Sequence, residues 1–238
     1  MTASPPKNSK RFYAAATARN RDDGSFGIEL DGRPVKTPAG HALAVPSRAL
    51  ADAIAGEWNA QGDEIVPSSL PFTRLANSAI DGIAGREGEV VQAILNYAAS
   101  DLLCYRAESP AELVAKQARL WDPILAWVRA EYDALFKVGA GIKPLDQPPA
   151  SLEAIRRAIA TMGPFQLAAL HVMTTLTGSA LIALAHAKRF LDADAAWEAA
   201  PVDENWQASQ WGDDFEAAQR QKKRFSEFLN ASRFFELA

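Results

Sequence analysis

The spacing of apolar residues divides the chain into two parts. Up to about Pro46, apolar and polar residues alternate in short segments, and in SFGIELDG the residues Phe26, Ile28 and Leu30 fall on one side, a pattern that favours β-strands. Beyond Pro46, apolar residues recur three or four positions apart, which predicts helices. The pattern therefore predicts an α+β protein, with a small N-terminal antiparallel β domain followed by a C-terminal all-α helical domain.

The segment LDGRPVKTPAG is predicted to form a β-hairpin and the turn that follows it. Asp31 and Gly32 are a two-residue hairpin signal, because both central positions of such a turn favour positive φ. Pro34 in the return strand indicates a sheet edge, since proline cannot donate a ladder hydrogen bond. Arg33 and Lys36 could contact an anion or a partner, but charged residues on an edge strand more often prevent pairing with other strands.

Capping residues predict several helix ends. Ser47 and Ser151 are expected to be N-caps, because a serine hydroxyl accepts a hydrogen bond from a free amide of the first turn. Pro164 is predicted to open a buried helix that continues through Leu167–Ala187. A final helix is predicted from about Gly212 towards the C-terminus.

The domain boundary is predicted in the turn-rich segment DEIVPSSLPFT. The predicted domains are residues 1–68, which are β-rich and contain one helix, and residues 69–238, which are helical. A chain of 238 residues is long enough for two modest domains, each with its own core.

Composition and charge exclude several classes of protein. The chain is 48% hydrophobic and 23% charged, which is typical of globular proteins. Its net charge of −4 provides no concentrated basic face for nucleic acid. Its apolar runs are shorter or more interrupted than the roughly 20 residues that cross a bilayer, so we expect no stable membrane insertion. A single cysteine and an N-terminus without a secretory apolar core favour a cytoplasmic protein.

Sequence motifs for nucleotide binding, metal binding and nucleophilic catalysis are missing. The chain has neither a P-loop nor a nucleophile-elbow motif, and His41, His171 and His186 lack a second ligand three or four positions away, whereas a metal site needs three or four converging ligands. Cys104 lies among apolar residues, where a thiol is usually inert. We therefore predict no catalytic residue, no metal and no cofactor, although Cys104 could still meet a histidine in the folded chain.

One stretch near the C-terminus combines acidic residues with large aromatic residues. From Phe190 to Ala218 there is no lysine or arginine, and three of the six tryptophans fall within it: Trp197, Trp206 and Trp211. Aromatic residues with charges around them are typical of recognition surfaces. The alternative is a helix with a packed tryptophan face and a solvated acidic face, which is the more common arrangement for a run of charges.

An ordered set of motifs gives the chain its resemblance to a known family. They are RFY, LDGRPVKTPAG, LAVP, EWNAQGDEI, PFTRLANSAID, DLLCYRA, QARLWDP, TGSALIALA, DENWQ and WGDDFEA, and they span Arg11 to Ala217. Each motif alone is weak, but the full set in this order resembles the ATP12 family, the assembly chaperones for the F1 sector of ATP synthase. Eukaryotic members carry a mitochondrial targeting extension, and its near absence here favours a bacterial, cytoplasmic member rather than a processed form from the mitochondrial matrix.

The resemblance implies a function without catalysis. ATP12 proteins bind the unassembled F1 α subunit and prevent its aggregation until β subunits replace it, with no cofactor. The family fold, a β domain followed by a helical domain, agrees with the apolar pattern. The alternative from the residues alone is a small-molecule enzyme with a pocket between the β and α modules, and a scaffold subunit that stays in its complex is a third possibility.

The resemblance also selects residues that could contact the partner. Acidic and neighbouring residues of the C-terminal motifs come first, and the basic pair of the hairpin comes second. Packing remains the favoured interpretation for Trp58 and Trp121. The candidates are Glu204 above all, Asp203, Gln207, Trp211 and Asp214, then Arg33 and Lys36.

Overall fold

The computed structural model describes residues 9–141, 143–211 and 215–238, without the side chains of residues 210, 211 and 215. The strands are β1 (Ser9–Lys10), β2 (Ala16–Asn20), β3 (Phe26–Leu30), β4 (Arg33–Pro34), β5 (Ala44–Val45), β6 (Glu64–Ile65), β7 (Tyr105–Arg106) and β8 (Gly139–Ala140). The helices are α1 (Arg48–Asn59), α2 (Pro71–Asn77), α3 (Glu87–Ala99), α4 (Ala111–Tyr132), α5 (Pro149–Ile159), α6 (Pro164–Thr177), α7 (Ala180–Ala187), α8 (Ala193–Ala199), α9 (Val202–Trp211) and α10 (Phe215–Leu237), and a π-helix (Ser78–Ile83) continues α2.

The N-terminal sheet is antiparallel and centred on β3, which pairs with β2, β4 and β5. Leu30 pairs with Arg33, so Asp31 and Gly32 are the central residues of the hairpin turn, with φ of 48° and 77°. The predicted hairpin is confirmed. Together with the ten α-helices of the described residues, this sheet confirms the α+β architecture.

Helix α1 packs beneath the sheet and begins where the sequence predicts. The Ser47 hydroxyl accepts a hydrogen bond from the Leu50 amide at 3.0 Å, which confirms the predicted N-cap. Leu50 and Ile54 are fully buried and form a core cluster with Ile28 of β3. The helix therefore supplies the apolar face on which the small sheet is built.

Two predictions of helix ends are wrong. Helix α5 begins at Pro149, because a proline is pre-set for the first turn and its missing amide costs nothing there; Ser151 lies inside the helix and its hydroxyl donates to the Leu135 carbonyl oxygen at 2.7 Å. The predicted helix through Leu167–Ala187 is two helices, α6 and α7. It breaks at Gly178, which has a φ of 71°, a conformation that glycine adopts without steric cost.

The C-terminal helix α10 connects the helical part to the sheet. The sequence predicts its start near Gly212, which lies outside the described residues. Phe234 of α10 is fully buried in the core cluster of Ile28 and Leu50, whereas Phe228 belongs to the larger cluster formed by the helices. The Ser47 hydroxyl also donates to the Leu237 carbonyl oxygen. Helix α10 therefore shares apolar contacts with the sheet-side core and with the helical core. The division into domains of residues 1–68 and 69–238 remains a prediction.

No helix in the described part of the chain is both long enough and sufficiently apolar to cross a bilayer.

Candidate protein-binding surfaces

Helix α9 exposes three of the residues that the sequence selects. Asp203, Glu204 and Gln207 are exposed, while Val202 is buried and Trp206 is partly buried against the helical core. The apolar face of α9 is thus used for packing, and its acidic face is directed to solvent. Of the remaining candidates, Asp214 and the side chain of Trp211 lie outside the described residues.

Asp203 has a structural contact despite its exposure. Its carboxylate accepts a hydrogen bond from the Gln117 amide nitrogen at 2.7 Å. Gln117 is 1% exposed, and its side-chain oxygen accepts a hydrogen bond from the Ala107 backbone amide at 2.8 Å. The carboxylate therefore completes a hydrogen-bonded link that holds α9 on α4. This link joins two of the family-like motifs, QARLWDP and DENWQ.

Replacing Asp203 by alanine is therefore expected to lower the free energy of unfolding by about 1 kcal/mol, because a buried amide donor of Gln117 loses its acceptor. Glu204→Ala is the matched control on the next residue and should change it by less than about 0.5 kcal/mol, as exposed substitutions usually do. Urea unfolding followed by circular dichroism measures both. Equal effects of the two variants would contradict the structural role of Asp203.

The side chain of Glu204 has neither a hydrogen bond nor an ion pair with any residue that the structure describes. It lies at a small cavity of about 30 Å³ that is also lined by Trp197 and Arg224. The guanidinium of Arg224 donates to the Leu176 carbonyl oxygen at 2.6 Å, so it is held by the helical core. Glu204 is therefore a charged side chain that is free for an external partner, on a surface fixed by neighbouring contacts.

The other acidic and aromatic residues of this stretch mostly stabilise the fold. Asp192 caps α8 by accepting a hydrogen bond from the Ala195 amide, and Glu198 pairs with Arg119 at 3.3 Å. Trp197 stacks on an aromatic ring of α10 at 5.3 Å. The packing interpretation therefore fits these residues, whereas the recognition interpretation stays a prediction for Glu204 and Gln207.

The basic pair of the hairpin lies on a different surface. Arg33 and Lys36 are exposed and line a cavity of about 540 Å³ together with Tyr13 and Trp58. Trp58 is half-buried, and its indole N–H donates to the Thr73 hydroxyl at 3.1 Å. Trp58 is thus a packed residue, as expected, but one edge of it also forms part of a surface depression that the sequence did not indicate.

The structure does not bring the two sets of candidates together. Asn205 of α9 contacts Gln221 near the start of α10, whereas Phe234 near its end packs in the sheet-side core with Val35 and Trp58. Gln221 and Phe234 are 13 positions apart on this helix, which corresponds to roughly 20 Å. The acidic α9 surface and the basic hairpin surface are therefore separate regions.

Several motif residues instead hold the two parts of the chain together. Asp81 of the π-helix accepts hydrogen bonds from the Thr37 hydroxyl at 2.7 Å and the Ala39 amide at 3.0 Å, and contacts His41 at 2.9 Å. The hydrogen bonds from His41 and Thr37 lower the pKa of the Asp81 carboxyl. These contacts attach the turn after the hairpin to the helical part. They also bring the LDGRPVKTPAG and PFTRLANSAID motifs into contact.

Glu57 and its neighbours in the EWNAQGDEI motif have the same kind of role. The Glu57 carboxylate accepts hydrogen bonds from the amides of Phe72 and Thr73 at 2.6 Å and 2.9 Å, the first free amides of α2. Burial raises the pKa of Glu57, and these hydrogen bonds oppose that shift. Asn59 exchanges two hydrogen bonds with the backbone of Ala16, both 2.8 Å. The motif therefore fixes α1 to α2 and to β2.

Asp101 is the most deeply buried acidic residue of the described chain, with 0% exposure. Its carboxylate accepts hydrogen bonds from the Ser179 hydroxyl at 2.7 Å, the Leu181 amide at 3.1 Å and the Leu103 amide at 3.2 Å. Burial raises the pKa of Asp101 to about 6, although these donors favour the charged form. Asp101 thus joins the DLLCYRA and TGSALIALA motifs at the start of α7.

The enzyme alternative gains no support from Cys104. The thiol is fully buried, and burial raises its pKa to about 12, so it remains a protonated, unreactive group at neutral pH. A cavity of about 650 Å³ lies beside His186 and is lined by residues of α6, α7 and α10. Cys104 is not among the described residues that line it. His186 itself contacts the Leu191 carbonyl oxygen and the Ser232 hydroxyl. Within the described ranges, no cluster of three or more His, Cys, Asp and Glu side chains is arranged to hold a metal.

Comparison with known sequences identifies relatives. The family model described as ATP12 chaperone protein matches residues 10–129. The chain is also 26% identical over 219 residues to the protein named "Protein atp12, mitochondrial" of Schizosaccharomyces pombe, an alignment that covers 87% of this chain and 75% of the relative.

Solved structures with the same fold extend the similarity to the C-terminal part. Atp12 from Paracoccus denitrificans is 38% identical, with a TM-score of 0.91 and coverage of 96% of this chain and 97% of that one. The Atu1473 protein of Agrobacterium tumefaciens is 43% identical, with a TM-score of 0.93 and coverage of 97% and 86%. Both alignments continue well past residue 129 and so include helices that the family model does not match.

Proposed function

Because the chain belongs to the ATP12 chaperone family and is thus an assembly chaperone for the F1 sector of ATP synthase, we propose that it binds the unassembled F1 α subunit. It keeps that subunit from aggregating until β subunits take its place. It acts by covering a surface and catalyses no reaction, and its bacterial relatives of known structure support a location in the bacterial cytoplasm, where F1 is assembled.

The observation that carries this proposal is the set of family-like motifs, matched in order and paired in space. Asp81 joins one pair of motifs, Gln117 with Asp203 joins a second, and Asp101 with Ser179 joins a third. These motif residues thus hold separate parts of the fold together, whereas other motif residues keep exposed polar side chains. Glu204, in the motif DENWQ, has an exposed side chain without an internal partner among the described residues. This supports Glu204 as a contact with the α subunit.

A shielding mechanism follows from the physical problem that an unassembled subunit presents. It exposes apolar surface that a neighbour covers in the complex, and large exposed apolar patches associate wrongly. A chaperone must bind such a surface specifically and still release it. Charges at the rim of an interface contribute selectivity and association rate more than raw affinity, and Glu204 on the exposed face of α9 is placed to act in this way.

Purified protein mixed with newly synthesised F1 α subunit tests the proposal. We expect a complex with unassembled α subunit on size-exclusion chromatography, reduced light scattering from α subunit on warming, and no complex with assembled F1, whose corresponding surface is covered. An equal mass of serum albumin is the control for unspecific protection. Binding to assembled F1 as strong as binding to free α subunit would contradict the proposal.

A further inference from the structure

A groove runs along the free edge of the N-terminal sheet. The cavity of about 540 Å³ beside Arg33 adjoins a second one of about 330 Å³, and the two share Val35, Lys36 and Trp58. The edge segment 33–38 forms one side. The opposite side consists of residues from the loop before β2, from β6, and from α2 with the residue before it: Phe12, Tyr13, Ile65, Leu70, Arg74 and Asn77.

The backbone at this edge has unused hydrogen-bonding groups. Lys36 forms an antiparallel bridge with Ala42, and the bonds of that bridge are made by its neighbours, from the Leu43 amide to the Val35 carbonyl oxygen and from the Thr37 amide to the His41 carbonyl oxygen. The amide and carbonyl of Lys36 consequently point away from the sheet. In the described structure neither has a hydrogen-bond partner, so Lys36 offers one donor and one acceptor to an added strand.

The charges on the groove are positive. Arg33, Lys36 and Arg74 are exposed at its sides, on a chain whose overall charge is −4. Among the described residues, the one carboxylate that lines it is that of Asp31, which accepts hydrogen bonds from the Ala14 and Ala15 amides at 2.9 Å. The groove thus complements an acidic ligand.

The apolar walls of the groove are already in position. Tyr13 donates to the Trp58 carbonyl oxygen at 2.7 Å and its ring lies against the Trp58 indole at 5.7 Å, while the Trp58 indole N–H is bonded to Thr73. Phe12 is 75% exposed at the rim and its ring contacts that of Tyr13 at 5.5 Å, so it is accessible to a ligand in the groove. Because these walls need little rearrangement, a ligand would lose less affinity to ordering.

We propose that this groove binds an extended segment of the unassembled F1 α subunit as an additional strand along the edge at Lys36. The segment places an apolar side chain against Trp58 and Phe12 and a carboxylate near Lys36 and Arg74. This inference rests on the proposed function and gives the chaperone a second contact, remote from Glu204. It gives Arg33 and Lys36 a chemical role, which is to attract and hold an acidic ligand at the sheet edge.

Overlapping fluorescent 15-residue peptides that span the F1 α sequence test the chemistry of the site. In anisotropy titrations with the full-length protein, we expect binding by peptides that alternate apolar residues and carry an acid, and a loss of at least about tenfold in affinity for Lys36→Glu. Lys137→Glu is the control, because Lys137 is an exposed lysine on the loop after α4 and the change in net charge is the same. Equal binding by the two variants would overturn the proposal.

The apolar contact is tested by Phe12→Ser against Leu135→Ser, two exposed apolar residues that are 75% and 57% accessible. We expect only Phe12→Ser to weaken peptide binding, by about fivefold or more. Amide hydrogen exchange gives the readout specific to strand addition: the Lys36 amide should exchange at least about tenfold more slowly with bound peptide. Unchanged exchange at Lys36 with saturating peptide would rule out a strand along this edge.

These measurements separate the groove from the proposed function. If wild-type protein fails to capture free α subunit, the proposed function is wrong. If wild-type protein and Lys36→Glu capture it with equal affinity while peptides leave the Lys36 amide unprotected, the chaperone function stands and the groove assignment is wrong.

Discussion

Asp101→Ala is expected to lower the free energy of unfolding by about 3 kcal/mol, the largest stability change that we predict for a single site. The carboxylate is fully buried and accepts hydrogen bonds from Ser179, Leu181 and Leu103. Alanine leaves these buried donors without an acceptor, and each unsatisfied group costs about 1–3 kcal/mol. Helix α7 loses a capping group at its N-terminus at the same time. Chemical unfolding at constant temperature measures the loss.

The control for Asp101 is Asp192→Ala, which removes an exposed N-cap that accepts a hydrogen bond from the Ala195 amide and should cost about 1 kcal/mol. The pH dependence gives a second check. The folded pKa of Asp101, about 6, lies above the ordinary aspartate value of 3.8, so folding favours its protonated form. The advantage of wild type over Asp101→Ala is therefore full below pH ~4 and declines as the pH rises through ~6. A cost below that of Asp192→Ala would contradict the capping role.

Glu204→Lys is expected to reduce capture of the unassembled F1 α subunit by at least tenfold while leaving the melting temperature within about 2 °C of wild type. The side chain is exposed and makes no hydrogen bond or ion pair in the described structure, so its replacement removes no internal contact. At an interface, reversal of a charge converts an attraction into a repulsion that costs several kcal/mol when the charges are close. Pull-down with purified α subunit, together with thermal unfolding, measures both quantities.

The matched control is Glu131→Lys, which makes the same change of charge at an exposed position of α4. It should leave both capture and stability unchanged. If Glu204→Lys unfolds the protein, Glu204 is structural and its assignment to the interface is wrong. If both variants lose capture equally, the effect comes from net charge and not from the α9 surface.

The sequence by itself determined the features that depend on neighbouring residues. The turn at Asp31 and Gly32 follows from a local preference for positive φ, and Ser47 caps α1 because its acceptor and the Leu50 amide are three residues apart. The α+β class follows from the change in the spacing of apolar residues from a strand-like to a helical period. That spacing shows which side of each element faces the core. The motif set, read by its resemblance, gave the family.

Only the tertiary structure decided which polar side chains are available to a partner. Asp203 and Glu204 are adjacent acids in one motif, yet Asp203 is held by Gln117, 86 positions away in sequence, and Glu204 is free among the described residues. The hydrogen bonds that Asp101 accepts at the start of α7 are likewise tertiary contacts, because its carboxylate and Ser179 are 78 positions apart. The groove at Lys36 is assembled from the edge strand, Trp58 and α2. Such contacts join residues that are distant in the chain. Local sequence patterns do not predict them, because each contact depends on how separate helices and strands pack.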